Sequence, residues 1–240
     1  MSPLYEQVRA RLIEGISAGR WRPGEALPSE AALAAAHRVA IGTIRKAVDS
    51  LVAEGALLRR QGKGTFVTAH DGGRLMFHFF HIVGRSGART IPEVRTLAFR
   101  RDRADAASAR ALGLAPLDKV IRIRNVLALD GHARILDDIT LPAALFPGLS
   151  EKIFRARDNT IYHLYQSRYG INVLRTDERL RATLAAGATA SLLGMAAGSP
   201  LLEIRRIALT FRDRPVELRI SHVNTAAHVY HNTFGKGEAL

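Results

Sequence analysis

The chain has 240 residues, 47% of them hydrophobic, and 35 Lys and Arg against 22 Asp and Glu give it a net charge of +13. That length suits one large domain or two modest ones, and the apolar share is enough to bury a core. The basic balance favours a polyanion such as nucleic acid as partner. There is no run of about 18 apolar residues to span a bilayer and no basic-apolar leader at the start, so a cytoplasmic protein away from the membrane is expected. The absence of cysteine excludes disulfides, thiol switches and Cys-based zinc sites. The charge is spread: residues 1–68 carry +4 and residues 77–240 carry +9. The second part therefore binds an anion of its own, faces DNA from a distance, or simply wears a solvated basic surface.

Pro3 stands where a helix can begin, because its missing N–H costs nothing there. Leu4, Val8, Leu12 and Ile16 recur every fourth residue and, with Tyr5 and Ile13, predict a first helix over 3–18. Gly19 and Trp21-Arg22-Pro23-Gly24 make a turn. Ser29 is placed to cap a short second helix that buries Ala32, Leu33 and Ala36 and ends near His37. After a tight connection at Arg38-Val39 comes a third helix with Ile44, Val48, Leu51 and Val52 on one face and Thr43, Arg45, Lys46 and Asp49 on the other. Gly55 stops it. Leu57–Val67 then reads as a hairpin whose apolar arms flank a basic, Gly-rich tip. A helix followed by such a hairpin has the form of a winged helix-turn-helix.

Pro3-Leu4-Tyr5-Glu6-Gln7, Gly19-Arg20-Trp21-Arg22-Pro23-Gly24, Leu27-Pro28-Ser29-Glu30, Gly42-Thr43-Ile44-Arg45, Glu54-Gly55 and Arg60-Gln61-Gly62-Lys63-Gly64-Thr65-Phe66-Val67 follow one another in one order and spacing. Together they resemble the GntR family of bacterial transcription regulators. The resemblance implies a winged helix-turn-helix that binds a short palindromic operator in double-stranded DNA as a dimer. The expected DNA-binding residues are Ser29, Ile41, Thr43, Arg45, Lys46, Arg59, Arg60, Gln61, Gly62, Lys63 and Gly64. Arg45 suits a guanine or a phosphate, and Lys46 suits the backbone. The two wing glycines permit close approach to the minor groove, with Arg59, Arg60 and Lys63 supplying charge.

Two positions depart from the family pattern of Ser or Thr followed by Arg: here they hold Ala40 and Ile41. Ala40 has no oxygen to cap the third helix, a loss of ~1 kcal/mol in typical cases. Ile41 removes a guanidinium whose base contact is typically worth about 1–3 kcal/mol of discrimination, and offers a thymine methyl an apolar partner instead. Upstream, Ala32 replaces a Glu that would close a capping box with Ser29.

Ala69-His70-Asp71-Gly72-Gly73 reads as a linker, and Leu75–Val83 as a strand. His78 and His81 lie three apart, so on a strand they point to opposite faces and share no metal. Further strands are expected at Glu93–Arg100, Lys119–Leu129, His132–Leu141, Ile171–Thr183, Leu201–Phe211 and Pro215–Val223, with a tight turn at Asp130-Gly131. Helices are expected at Ala104–Leu112, Thr160–Tyr169 and Ala185–Met195. About six strands and three helices suggest an antiparallel sheet with helices on one side.

Ala111-Leu112-Gly113-Leu114, Leu129-Asp130-Gly131, Leu141–Leu149, Tyr169-Gly170-Ile171, Leu192-Leu193-Gly194, Gly198–Leu202 and Arg214-Pro215-Val216-Glu217 are similar to the UTRA ligand-binding domain of the HutC branch of GntR regulators. The resemblance implies a chorismate-lyase-like fold that senses a small anionic metabolite and pairs with a second copy. Arg122 and Arg124 match strand arginines that hold the anionic group, and Thr160 and Tyr162 match a Ser-x-Tyr at a helix start. Asp137, Arg175 and Glu217 match polar positions that hold the rest of the effector. Guanidinium forks and a helix N-terminus both suit a carboxylate or phosphate.

The expected protein is thus α+β, with a winged helix-turn-helix over 1–68, a linker over 69–76 and a UTRA-like effector-binding and dimerisation domain over 77–240. It is a ligand-responsive repressor without cofactor, catalytic residues or metal. A sequence-indifferent DNA-binding protein is the alternative that Ala40 and Ile41 open. A lyase-like enzyme is disfavoured, because no nucleophile with its base, metal cluster or phosphate loop is present.

Overall fold

The fourfold apolar spacing of the first helix puts Val8, Leu12 and Ile16 inward on α1, Leu4–Ser17. The structure, a computed structural model, describes residues 3–69, 79–157 and 160–233. The predicted linker beyond Ala69, the first part of the Leu75–Val83 strand and His78 lie outside the described residues. α2, Glu30–His37, starts at Ser29, whose Oγ accepts from the Ala32 N–H at 3.2 Å. α3, Ile41–Ala53, starts at Ala40 with no side-chain cap. It buries Ile44, Ala47, Val48 and Leu51. β1, Leu57–Arg60, and β2, Gly64–Val67, pair antiparallel as the wing. Gly62 at φ +70° and Gly64 at φ +110° turn the chain between them, where a Cβ would strain the backbone. One apolar core joins α1, α2, α3 and the wing through Leu12, Leu33, Ile44, Leu51, Leu57 and Val67.

In the second half, β3 spans Ile82–Gly84, β4 Glu93–Arg103, α4 Ala106–Leu112, β5 Lys119–Leu129 and β6 His132–Pro142. There follow α5, Glu151–Arg155, α6, Ile161–Tyr169, β7, Arg175–Leu184, and α7, Gly187–Leu192. β8, Pro200–Leu209, β9, Pro215–Val223, and β10, His228–Tyr230, complete the described elements. Six strands form one sheet in the order β4-β5-β6-β9-β8-β7. β4, β5, β6 and β9 pair antiparallel in that sheet, and β3 pairs antiparallel with β10 apart from it. Asp130 and Gly131, both at positive φ, make the β5–β6 turn.

Contacts divide the chain into two compact units. The first holds Met1–Asp71 with Arg157–Arg175 and Ala208–Arg214; the second holds Gly72–Ala156, Thr176–Ile207 and Pro215–Leu240. α6 therefore belongs to the unit that contains the winged helix-turn-helix.

Helices lie on both faces of the sheet, not on one side. Along β5, Val120, Arg122, Arg124 and Val126 share a face by alternation. Ala109 of α4 packs with Val120, and Ala190 of α7 packs with Val126. Phe99 points the other way from Ala98 and Arg100, and its ring lies 6.1 Å from that of Phe154 on α5. The β5 sequence alternates polar and apolar residues on only one of its faces, so its mostly apolar face also needs a cover. The predicted strand from Ile171 begins instead at Arg175. The Ile171 N–H caps α6 by donating to the Tyr165 carbonyl at 3.1 Å.

Candidate nucleic-acid interface and sensing site

The exposed side of α3 and the wing carries the DNA-binding residues that the sequence suggests. Ile41 is 46% exposed, a large apolar side chain open to solvent at the first turn of α3. Arg45, one turn further on, is exposed, and Thr43 is half-buried. Glu30 organises the surface. One of its carboxylate oxygens accepts from Arg45 Nε at 2.9 Å and the other from Arg59 Nη2 at 3.0 Å. Arg59 also meets Asp49 at 2.8 Å. Lys46 Nζ sits 4.1 Å from the centre of the Tyr5 ring, and the Arg60 guanidinium 4.7 Å from that of Phe66. These cation–π contacts hold both charges close to the protein surface. Gln61, Gly62, Lys63 and Gly64 form the exposed tip. Ser29 is exposed, and its hydroxyl oxygen is engaged in capping α2.

In the second unit, Arg122 and Arg124 line a groove of about 270 Å³ with Arg100, Asp138 and Thr140. Arg122 donates to Asp102 at 3.1 Å and to Asp105 at 2.7 Å. Arg124 makes a two-pronged contact with Asp138 at 2.7 and 2.9 Å, which raises the pKa of its guanidinium. Asp105 caps α4 by accepting from the Ser108 N–H. That bond, followed by the one from Arg122, holds its carboxyl at about 2.

Asp137 and Glu217 face the other side of the sheet. Asp137 accepts from Ser221 Oγ at 2.6 Å and from Arg219 Nη1 at 3.2 Å. Arg219 also reaches Glu217 with Nε at 3.0 Å and Nη2 at 3.1 Å. Burial pushes the Asp137 carboxyl up from its usual range. Across four strands the pairing aligns Thr96, Asn125, Asp137 and Ser221 in one row, and all four are buried. Asn125 Oδ1 has no hydrogen-bond partner there. An unmet buried amide oxygen typically costs about 1–3 kcal/mol.

The other effector candidates belong to the first unit. Thr160 Oγ1 caps α6 by accepting from the His163 N–H at 3.2 Å. Tyr162 is buried, its ring 5.7 Å from that of Tyr165. Arg175 is exposed and pairs with Asp213 at 2.8 Å. The structure therefore brings Arg122 and Arg124 together, and Asp137 and Glu217 together through Arg219, but not the two pairs. Among the described residues, no group of three or more His, Asp or Glu is arranged to hold a metal. His81 lies against the Tyr230 ring at 5.2 Å.

Residues 4–67 match the model of the bacterial regulatory proteins of the gntR family, and residues 88–228 match the UTRA domain. The chain belongs to the GntR family. It is 30% identical over 218 residues to a probable fructoselysine utilization operon transcriptional repressor of Escherichia coli, covering 90% of this chain and 88% of that one. It is 31% identical over 207 residues to the histidine utilization repressor of Klebsiella aerogenes, covering 85% and 84%. The solved ligand-binding domain of a protein described as a GntR-family transcriptional regulator from Bordetella bronchiseptica superposes with a TM-score of 0.62 at 36% identity, covering 65% of this chain and 98% of that one. This GntR/UTRA protein is a transcriptional repressor, ligand-responsive as its family is, and not an enzyme. Among the described residues no helix is long and apolar enough to cross a membrane.

Sequence reasoning missed Glu30, Arg219 and Asn125. Glu30 had a signal, an acid directly after a capping serine. Asn125 had one too, a lone amide on the otherwise apolar face of β5. Arg219 had none, because one arginine among 35 basic residues is not distinctive.

Proposed function

We propose that this repressor binds a short palindromic operator as a homodimer in the cytoplasm and is controlled by a small anionic metabolite. Residues 1–68 are its DNA-reading domain, 69–76 its linker and 77–240 its sensing and pairing domain. The observation that carries the proposal is the surface of α3 and the wing. Ile41, Thr43 and Arg45 lie in the first turns of α3 beside a glycine-turned basic tip, and Glu30 pairs with both Arg45 and Arg59. α3 reads the major groove, with Ile41 against a thymine methyl and Arg45 on a guanine or phosphate. Lys46, Arg59, Arg60 and Lys63 neutralise phosphates, and Ser29, Gln61, Gly62 and Gly64 bring the backbone close.

The effector's anionic group is held in the groove by Arg122 and Arg124, which release exposed carboxylates to accept it. Asp137 and Glu217 face the opposite side of the sheet, and Thr160, Tyr162 and Arg175 belong to the other unit, so none of the five is assigned to this groove. Fructoselysine and histidine, for whose use the two relatives are named, are zwitterions that both carry a carboxylate, and this supports a ligand whose carboxylate meets the two guanidiniums. One observation favours a second placement, the buried row of Thr96, Asn125, Asp137 and Ser221, where the unmet Asn125 oxygen suits a hydroxyl or ammonium donor.

Sequencing of genomic fragments retained by the purified protein tests the proposal. A shared palindrome beside one operon is the expected result, and its neighbouring genes name the class of effector. Recovery without any common motif, at matched salt, would favour sequence-indifferent binding.

A further inference from the structure

α6 is encoded within the UTRA match, yet it packs in the compact unit of the winged helix-turn-helix. Gln166, in its middle, is 5% exposed. Its Nε2 donates to the Thr68 carbonyl at 2.7 Å and to Asn172 Oδ1, itself buried. Thr68 directly follows β2, and its own N–H donates to the Ala56 carbonyl at 3.1 Å. The Gln166 amide therefore grips the root of the wing. Nearby contacts are apolar or steric: Leu174 and Phe211 pack on the apolar core of α1, α2 and α3. Gly170, at φ +64°, lies so close to α1 that a Cβ would sit 3.1 Å from the Ser17 carbonyl oxygen.

Beside this grip is a cavity of about 520 Å³, lined among others by Trp21, His163, Gln166 and Asn172. His163 has a buried ring nitrogen, Nδ1, without a partner. On the cavity side the two Gln166 bonds stand next to open volume and one polar group is left unmet, while Leu174, Phe211 and Gly170 pack closely elsewhere. The directional part of the contact therefore falls to Gln166. Ile41, Arg45, Arg59 and Lys63 are exposed, so the proposed reading surface is left open.

We propose that Gln166 is a positioning residue for operator binding: it fixes the wing's root to α6 and so sets the orientation in which each reading head is presented. In the chain α6 is followed by β7, and the 208–214 segment joins β8 to β9. Pre-orienting two heads lowers the ordering cost of engaging two half-sites at once, while one head on one half-site gains nothing. The inference rests on the dimer and palindrome of the proposed function.

The test compares full-length wild type with Gln166→Glu, which keeps the shape and loses the donor, and Gln166→Ala. Each is titrated with the duplex palindrome recovered by genomic selection and with a duplex carrying one half-site, and thermal unfolding is recorded for each. The expected result is palindrome affinity weakened about tenfold with half-site affinity unchanged within about twofold, and partial recovery in Gln166→Lys, whose ammonium can donate to Thr68. Equal affinities for wild type and variants on both duplexes overturn the proposal. So does parallel weakening on both, which marks general destabilisation. If wild type itself shows no preference for the palindrome over the half-site, the dimer reading has failed rather than the grip.

Discussion

Arginines do opposite work in the two halves of this molecule. On the reading surface, Arg45 and Arg59 share the single carboxylate of Glu30, with Asp49 as an additional partner for Arg59. In the groove, Arg122 has Asp102 and Asp105, and Arg124 has Asp138 on both prongs. The first arrangement orients guanidiniums, while Lys46 and Arg60 rest on the Tyr5 and Phe66 rings and Lys63 is exposed at the wing tip, so the surface stays net positive, which favours a polyanion. With Arg100, which also meets Asp102 at 3.6 Å, the second sets three arginines against three aspartates. On the proposed reading it attracts anions weakly from a distance and admits one that fits well enough to displace carboxylates at contact range. The proposed function thus asks a long-range field of one set and a short-range choice of the other.

Breaking either set gives the largest effects. Arg45→Ala is expected to cost about 1–3 kcal/mol of operator binding and to relax base preference at one position. Quantitative binding to the selected palindrome and its single-base variants reads both. Replacing Arg122 and Arg124 together with Ala should leave operator affinity in place but abolish the effector's influence on it, which is typically a factor of about 5–150. The measurement is the operator Kd with and without the metabolite used by the neighbouring operon. A retained response would remove the groove from the effector site.

A smaller effect sharpens the contrast. Glu30→Gln frees Arg45 and leaves Arg59 to Asp49 alone, so non-specific DNA affinity should rise about three- to tenfold with a steeper dependence on salt. The corresponding change in the groove, Asp138→Asn, should leave DNA binding untouched. If both variants bind scrambled DNA alike, the comparison between the two sets is wrong.

The head was legible because its logic is local. Fourfold apolar spacing gave α1 and α3, Ser29 gave a cap, and Gly62 and Gly64 gave the wing turn, each within a few residues of the atoms that it controls. The sheet strands were legible for the same reason, from alternation and from Asp130-Gly131. What stayed hidden was pairing over distance. Arg122 and Asp137 are close in sequence, but their strand positions differ in parity, so they face opposite sides. α5 has five residues and β10 has three, too short for any period to register. The placement of α6 with the head is a tertiary contact with no periodic trace.

Below these lies the cap of α4. Asp105→Ala should cost about 1 kcal/mol of stability near neutral pH, read by urea unfolding. The Ser108 N–H and Arg122 hold the folded carboxyl at about 2, below the value of about 3.9 for an unfolded aspartate. The contribution is therefore fully present above about pH 4 and is lost as the pH falls towards 2. The gap between wild type and variant should close over that window, and a gap independent of pH would show that the charge has no part in it.

The smallest expected change in stability decides between the two effector placements. Asn125→Leu replaces a buried amide of similar volume, whose oxygen lacks a partner, by an apolar group at the centre of the polar row. Removing an unmet buried polar atom usually gains stability, here up to about 1 kcal/mol. If the row is only part of the core, the variant is slightly more stable and its effector response is intact. If the row receives a donor from the effector, the variant is just as stable but the response falls, because the ligand group then meets a methyl where it met an oxygen. Measured against the Arg122 and Arg124 variant, this assigns the effector to one face of the sheet. A response lost in the arginine variant and kept in Asn125→Leu places it in the groove, and the reverse pattern places it in the row.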